Sequence, residues 1–156
     1  MTHLRKLVVV MSFALASTFI TAAPAQAYTS YPNYTNRATY AARVTYDLNV
    51  IRSQHGLGQF TPTYCPLWFA TKWAYHLAAT GTLNHQSMYT ILSACHATVA
   101  AENLGRVNVG PDVMVAAWMA SPAHRANILD GRLTRIGVGE FYANGQWVVV
   151  TDFTRS

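Results

Sequence analysis

The sequence contains little charge. Only 11% of its 156 residues are Asp, Glu, Lys or Arg, whereas 51% are hydrophobic and 12% are aromatic. This balance excludes an intrinsically disordered chain, and the length suits one domain with one well-filled core. The net charge is +5, and apart from Arg5 and Lys6 the basic residues are spread singly along the chain, with no Lys/Arg run. We therefore expect no sequence-specific binding of nucleic acid.

The sequence also lacks an apolar run long enough to cross a bilayer. The apolar stretch at 7–20 is shorter than the roughly 20 residues that a membrane span needs. It follows Arg5 and Lys6 and precedes the small-residue site Ala25-Gln26-Ala27, which is the layout of a secretory signal peptide. We expect residues 1–27 to be cleaved, the protein to be secreted, and no stable membrane span to remain.

Cysteine is scarce as well, since the chain has only Cys65 and Cys95. Neither cysteine belongs to a pattern with histidine, so we expect no zinc knuckle. Secreted proteins fold in an oxidising compartment, where two cysteines usually pair. We expect a Cys65–Cys95 disulfide that stabilises the fold by roughly 3–4 kcal/mol. The alternative is a pair of free buried thiols.

The polar, Tyr-rich residues 28–37 show no periodicity, and we expect a flexible lead there, followed by the domain at 38–156. Within the domain, apolar residues recur at every third or fourth position from 38 to 55. This spacing predicts a helix that Gly56 ends.

A second helix, predicted over 66–80, precedes a loop that carries a candidate functional residue. Its apolar residues share one face, and Gly81 ends it. His85 follows in the next loop. A loop that leaves a buried helix is a rigid support for a functional side chain.

The C-terminal third changes from helical to strand periodicity. Short helices are predicted at 88–93 and after Ser121, where Pro122 suits a first helical turn. Asn144-Gly145 then predicts a hairpin turn, and residues 147–153 are apolar on both alternating faces. Such a hairpin must be covered on both faces. We therefore predict an α+β fold, a three-layer α/β/α sandwich with a small antiparallel sheet between helices.

Six segments of the chain form an ordered set that extends over nearly the whole length of the sequence after residue 47. These are LNVIRSQHGL (48–57), WAYHLAATGTLNH (73–85), AENLG (101–105), AAWMASPAHRANIL (116–129), TRIGVG (134–139) and WVVVTDF (147–153). On these segments the chain resembles the CAP superfamily of cysteine-rich secretory proteins, antigen 5 and pathogenesis-related 1 proteins, also called SCP-like extracellular domains. It is most similar to the secreted bacterial branch. The resemblance implies a three-layer α/β/α fold with a central cleft.

The resemblance also implies a cleft tetrad of two histidines and two glutamates, which in the family sometimes holds zinc or magnesium. On this sequence the first histidine falls on His85, the glutamate of the GENL motif on Glu102, and the second histidine on His124. The second glutamate belongs three residues after Trp118, where this chain has Ser121. His85 and His124, with Glu102 as a third ligand, are the implied metal ligands. They form a weaker set than a four-ligand site.

The residues themselves leave other interpretations open. His85 and His124 lie 39 residues apart without the spacing of a zinc motif, which also suits hydrogen-bonded surface histidines. Glu102 also suits a structural role, with hydrogen bonds to backbone amides. Helix capping accounts for Ser121, since the chain has no Gly-x-Ser-x-Gly nucleophile motif. We expect Arg125 and Asn127 to anchor the short helix and the loop before the sheet, and to line the rim of the cleft.

The sequence lacks a complete acid–base or nucleophile set, so we favour a role that is not enzymatic. The leading hypothesis is a secreted binding module whose cleft, or an apolar groove beside it, takes a small molecule, lipid, peptide or divalent metal in the envelope or medium. One alternative is a metal-assisted peptidase or esterase, for which His85, Glu102 and His124 are the catalytic candidates. Another is a structural extracellular scaffold that binds a host or envelope protein.

Overall fold

A computed structural model describes residues 37–156 of the chain. The expected signal peptide at 1–27 lies outside the described residues, as does all of the expected lead except Arg37, which is the first residue of the first helix. Within the described residues, no helix combines the length and the apolarity that crossing a bilayer requires. The elements are α1 (Arg37–Gln54), β1 (Thr61–Pro62), α2 (Tyr64–Thr80), α3 (Met88–Ala94), β2 (Val99–Val107), α4 (Pro111–Ala120), α5 (Pro122–Ile128), β3 (Arg135–Ala143) and β4 (Gln146–Arg155).

The strands form one four-stranded sheet in the order β1-β3-β4-β2. β3 and β4 are the predicted hairpin, and β2 pairs with β4 antiparallel. The turn residues Asn144 and Gly145 have φ values of 52° and 76°, as this two-residue turn requires. The sheet differs from the prediction in one respect, because the two-residue strand β1 pairs parallel with β3 and makes the sheet mixed.

Helices cover both faces of the sheet, which confirms the predicted three-layer sandwich. On one face α2 packs on β3 and β4. This core consists of Ala70, Ala74, Leu77, Leu104, Val148 and Val150. On the other face α1 packs on β3, and α4 and α5 pack on β2. The main residues of this second core are Tyr40, Val44, Leu48, Met114, Trp118, Ile128, Ile136, Val149 and Phe153.

The sequence pattern predicts no strand over Val99–Val107, which the structure shows to be the edge strand β2. Its sequence, VAAENLGRV, contains Ala, Glu, Asn and Gly, which have low strand propensity. Pairing with β4 along nine residues outweighs that local preference. The strand therefore depends on a tertiary contact and not on a local signal.

The predicted disulfide is present and joins Cys65 to Cys95. Cys65 lies in the first turn of α2, and Cys95 follows the last residue of α3. The disulfide thus fastens the two helices to each other near one end of α2.

Arg52 fixes α1 to the segment that follows α5. Its buried guanidinium donates hydrogen bonds of 2.7–3.1 Å to four backbone carbonyl oxygens and lies 3.9 Å from the centre of the Phe60 ring. The four acceptors belong to Gly58, Ile128, Asp130 and Leu133. A buried cation needs such partners, and these bonds set the position at which α5 ends.

Two glycines of β3 allow α2 to lie unusually close to the sheet. A Cβ atom on Gly139 would stand 2.1 Å from the carbonyl carbon of Ala70, and one on Gly137 would stand 2.0 Å from the backbone nitrogen of Leu67. Both obstacles are main-chain atoms of α2, so a side chain on β3 would push the whole helix outward.

We predict that Gly139→Ala lowers the free energy of unfolding by about 1–3 kcal/mol, because its methyl group overpacks the α2–β3 contact. Gly58→Ala is the matched control, since nothing lies within 4 Å of a Cβ at that position and its φ is not in the left-handed region. Urea denaturation of both variants checks the prediction. Equal stabilities of the two variants would contradict it.

Candidate functional site

The loop that carries His85 is fastened on both sides. On one side Arg106 of β2 donates three hydrogen bonds of 2.7–2.9 Å to carbonyl oxygens at the end of α2. These acceptors belong to Leu77, Gly81 and Thr82. On the other side the indole nitrogen of Trp73 donates to the carbonyl oxygen of Asn84 at 2.8 Å. The residue before His85 is thereby held against α2.

His85 and Glu102, two of the predicted cleft residues, are in direct contact. Nδ1 of His85 lies 2.6 Å from Oε1 of Glu102. The imidazole is 60% exposed, whereas the Glu102 side chain is only 1% exposed. A carboxylate that accepts from Nδ1 fixes the ring orientation and leaves Nε2 as the other polar atom of an exposed ring.

Two residues that the sequence analysis missed complete this group. Glu102 of β2 is the register partner of Asp152 on β4, and both carboxyl groups are buried. Gln86 lies beside both: its Nε2 donates to Oε2 of Glu102 at 2.7 Å and lies 3.1 Å from Oδ2 of Asp152. Its backbone N–H also donates to Oε1 of Glu102 at 3.3 Å. We call His85, Gln86, Glu102 and Asp152 the polar cluster.

The two carboxyl groups of the polar cluster differ in their environments. Glu102 accepts hydrogen bonds from His85 and Gln86, which compensate for the burial of its side chain. Burial, followed by the charge of Glu102 and a hydrogen bond to it, raises the pKa of Asp152 to about 9. At neutral pH Asp152 therefore holds a proton, and the pair carries one negative charge instead of two.

One signal in the sequence pointed to Asp152. It occupies the strand position that continues the alternation of Val148 and Val150, so its side chain faces the α2 layer. An acidic residue at a core-facing position needs a partner. Its partner, Glu102, could not be identified because the strand that carries it was not predicted.

His124 lies near the polar cluster but makes a different set of contacts. Its ring packs edge-on against Trp118 at a centroid distance of 6.4 Å. Burial and, secondly, the charge of His85 lower the pKa of His124. Its backbone carbonyl accepts a hydrogen bond of 3.2 Å from Asn103. The structure therefore brings the two histidines within electrostatic reach of each other, with Glu102 in contact with His85.

Asn127 and Ser121 contribute in different ways. Nδ2 of Asn127 donates to the backbone carbonyl of Glu102 at 3.2 Å and to Oδ1 of Asn103 at 2.9 Å, which ties α5 to β2. Ser121 occupies the N-cap position of α5, as predicted, but its side chain makes no capping hydrogen bond. The capping explanation for the serine side chain was therefore wrong; Ser121 takes part in this turn through its backbone.

The residues present do not fit the metal set that the family resemblance implies. Across residues 37–156, no three His, Cys, Asp or Glu side chains are grouped so that they could hold a metal ion. Nδ1 of His85 is engaged by Glu102, and Ser121 offers no carboxylate. Zinc or magnesium binding stays a prediction.

An apolar groove lies beside the polar cluster, between α2 and α3. Its volume is about 630 Å³. Aromatic rings of α2 line one wall, and neutral polar side chains at the start of α3 line the other. We call it the α2–α3 groove; its lining residues are Trp68, Phe69, Lys72, Trp73, His76, Gln86, Ser87 and Thr90. Gln86 belongs to both the groove and the polar cluster, so the two features are continuous.

We predict that Asp152→Asn makes stability less dependent on pH. The folded protein keeps the Asp152 proton between the ordinary pKa of 3.8 and about 9, whereas the unfolded chain has lost it, so the folded state binds more protons and stability falls as pH rises through this range. Asparagine cannot ionise. Urea denaturation at about pH 5 and about pH 8 should show a smaller decrease for the variant than for the wild type.

Asp130→Asn is the control for this measurement. Hydrogen bonding to Arg132 lowers the pKa of Asp130, so its contribution is lost only as pH falls through the acid range. The stability of the control should decrease as much as that of the wild type between about pH 5 and about pH 8. If the stability of Asp152→Asn decreased with pH as much as that of the wild type, Asp152 would be ionised in the folded protein.

Comparisons with known proteins agree with this architecture. A profile of the Cysteine-rich secretory protein family, CAP, matches residues 45–153. The chain is 42% identical over 48 residues to the uncharacterized protein YkwD of Bacillus subtilis (strain 168), a match that spans 31% of this chain and 19% of that protein.

Solved structures of bacterial proteins share the fold. An extracellular protein containing a SCP domain from Bacillus anthracis str. Ames aligns with a TM-score of 0.68 at 20% identity, over 77% of this chain and 41% of that one. An outer surface protein from Borrelia burgdorferi aligns with a TM-score of 0.71 at 15% identity, over 77% and 95% of the two chains. These structures support the fold alone, whereas the profile covers most of the sequence. The chain therefore belongs to the Cysteine-rich secretory protein (CAP) family.

Proposed function

We propose that this protein is a secreted binding module, whose ligand lies in the α2–α3 groove with its polar end at the polar cluster. The groove and the cluster meet at Gln86, and this continuity is the observation that carries the proposal. Export is supported by the signal-like sequence at 1–27 and by the disulfide, which is typical of secreted proteins. The structural relatives from Bacillus anthracis, an extracellular protein, and from Borrelia burgdorferi, an outer surface protein, agree with it.

The groove has the properties of a small-molecule site. Its volume of about 630 Å³ lies within the range of 300–1,000 Å³ that is common for such sites. Trp68 is 45% exposed although it is a large aromatic residue, and it shares the wall with the half-buried rings of Phe69 and Trp73. An exposed aromatic wall with a few polar groups at its edge favours a ligand that has an apolar side and a polar side.

The polar cluster suits recognition better than nucleophilic chemistry. Asp152 is fully buried, Glu102 is nearly so, and the amide of Gln86 bridges the two carboxyl groups. Their mutual hydrogen bonds hold the exposed ring of His85 in place, and this ring is the group of the cluster that the polar end of a ligand can reach.

We predict that Trp68→Ser weakens ligand binding at least about tenfold, because the groove loses its most exposed apolar surface. Native mass spectrometry against a panel of lipids, short peptides and oligosaccharides identifies the binding class, and a titration with the best binder gives the dissociation constant. Tyr89→Ser is the matched control, since Tyr89 is an aromatic residue of α3 that is 80% exposed and lies outside the groove lining. It should bind as the wild type does.

Two results would contradict this proposal. One is the absence of any bound adduct across the whole panel. The other is an equal loss of affinity in Trp68→Ser and Tyr89→Ser, which would place the ligand outside the groove.

Hydrolysis is a second candidate, favoured by the 2.6 Å contact between His85 and Glu102. A histidine whose Nδ1 is fixed by a buried carboxylate is the arrangement of a general base that activates water. His85 is exposed to solvent, so a substrate can reach the ring.

If His85 is a general base, His85→Ala should lower the rate of p-nitrophenyl acetate hydrolysis by about 10²-fold or more. Replacing this exposed side chain should leave the fold intact, which circular dichroism checks. His55→Ala is the control, because His55 is an exposed histidine remote in sequence from the cluster and reports the non-specific reactivity of imidazole. Equal rates in the wild type and both variants would exclude the hydrolase.

A further inference from the structure

The two walls of the α2–α3 groove differ in their chemistry, and this difference restricts the ligand. The α2 wall presents the rings of Trp68, Phe69 and Trp73. The opposite wall presents an amide and two hydroxyl groups, those of Gln86, Ser87 and Thr90. A matching ligand needs an apolar face along one side and hydrogen-bonding groups along the other.

An acyl chain does not meet this requirement. It would cover the hydroxyl groups of Ser87 and Thr90 without giving them a hydrogen-bond partner, and an unsatisfied polar group in a covered site is costly. A sugar ring meets it better. The ring carries an apolar face of C–H groups, which packs on aromatic side chains, and hydroxyl groups around its edge, which pair with amides and hydroxyls.

The charges along the groove point to an acidic ligand. Its two ionisable lining residues, Lys72 and His76, are both bases, and no carboxylate lines it. Lys72 Nζ lies 4.9 Å from the centre of the Trp68 ring, and the His76 ring stacks on Trp73 at a centroid distance of 4.6 Å. The ammonium group of Lys72 therefore lies on the aromatic wall, where it meets a negative group on a ring packed against that wall.

We propose that the α2–α3 groove binds an acidic oligosaccharide, with its sugar rings packed on the aromatic wall of α2 and a carboxylate paired with Lys72. This inference rests on the proposed function, since it names the ligand class of the same groove. The hydroxyls of the sugar meet Gln86, Ser87 and Thr90 on the opposite wall.

The test compares two forms of one sugar. Isothermal titration with trigalacturonate should give saturable binding, and fully methyl-esterified trigalacturonate, which has the same rings without the charges, should bind at least about tenfold more weakly. Added salt should weaken only the acidic form. Shifts of the indole N–H signals of Trp68 and Trp73 in the NMR spectrum locate the ligand in the groove.

Two variants separate charge from packing. Lys72→Gln should bind the acidic form as weakly as the wild type binds the ester, with affinity for the ester unchanged. Trp68→Ser should lose affinity for both forms. Both side chains are exposed, so both variants should fold, and circular dichroism checks this.

Each outcome is decisive. Equal affinities for the acid and the ester, or an unchanged affinity for the acid in Lys72→Gln, would overturn the inference. If neither sugar binds but dodecanoic acid or a short peptide binds and shifts the Trp68 signal, the ligand class is wrong and the proposed function stands. If nothing in the panel binds, both are wrong.

Discussion

The close approach of α2 to β3 is the constraint on which the site depends. Because Gly137 and Gly139 carry no side chains, the α2 backbone occupies space that a Cβ atom would fill. The helix is thereby fixed at a defined height above the sheet. Arg106 of β2 holds the C-terminal end of the helix, and the loop that follows places His85 in contact with Glu102. The same height places the aromatic residues of α2 opposite α3. The glycines of β3 thus position both the polar cluster and the α2–α3 groove.

Strand register is the second constraint, because it places two acidic side chains next to each other in a buried layer. Glu102 and Asp152 are opposite each other in the β2–β4 pairing, and both face the α2 layer. Burial and, secondly, the charge of Glu102 raise the pKa of Asp152 to about 9, so the pair keeps a proton. The Gln86 amide donates towards both. Since Gln86 also lines the groove, protonation and groove shape depend on the same side chain.

The sequence predicted the features that have local causes. The helices follow a spacing of three to four residues and end at Gly56 and Gly81, whose positive φ values bear out the prediction. The hairpin follows from Asn144-Gly145. The family resemblance supplied the contact of His85 with Glu102, which residue spacing alone did not. β2 and Asp152 were missed because both depend on pairing between strands that lie far apart in the sequence. Gln86 and the groove were missed because they depend on the packing of α2 against α3, which no local sequence pattern indicates.

The departure from the family tetrad at Ser121 changes how the site is built. The implied second glutamate would have stood at the junction of α4 and α5, close to His124. Here the second carboxyl group of the cluster comes from Asp152 on β4, and it lies beside Glu102 instead. His124 is left against Trp118, with its pKa lowered by burial and by the charge of His85. The acidic groups are thus concentrated on the α2 face, next to the groove, and the two histidines no longer share a pair of carboxylates. An arrangement of this kind favours recognition at the groove over metal chemistry between the histidines.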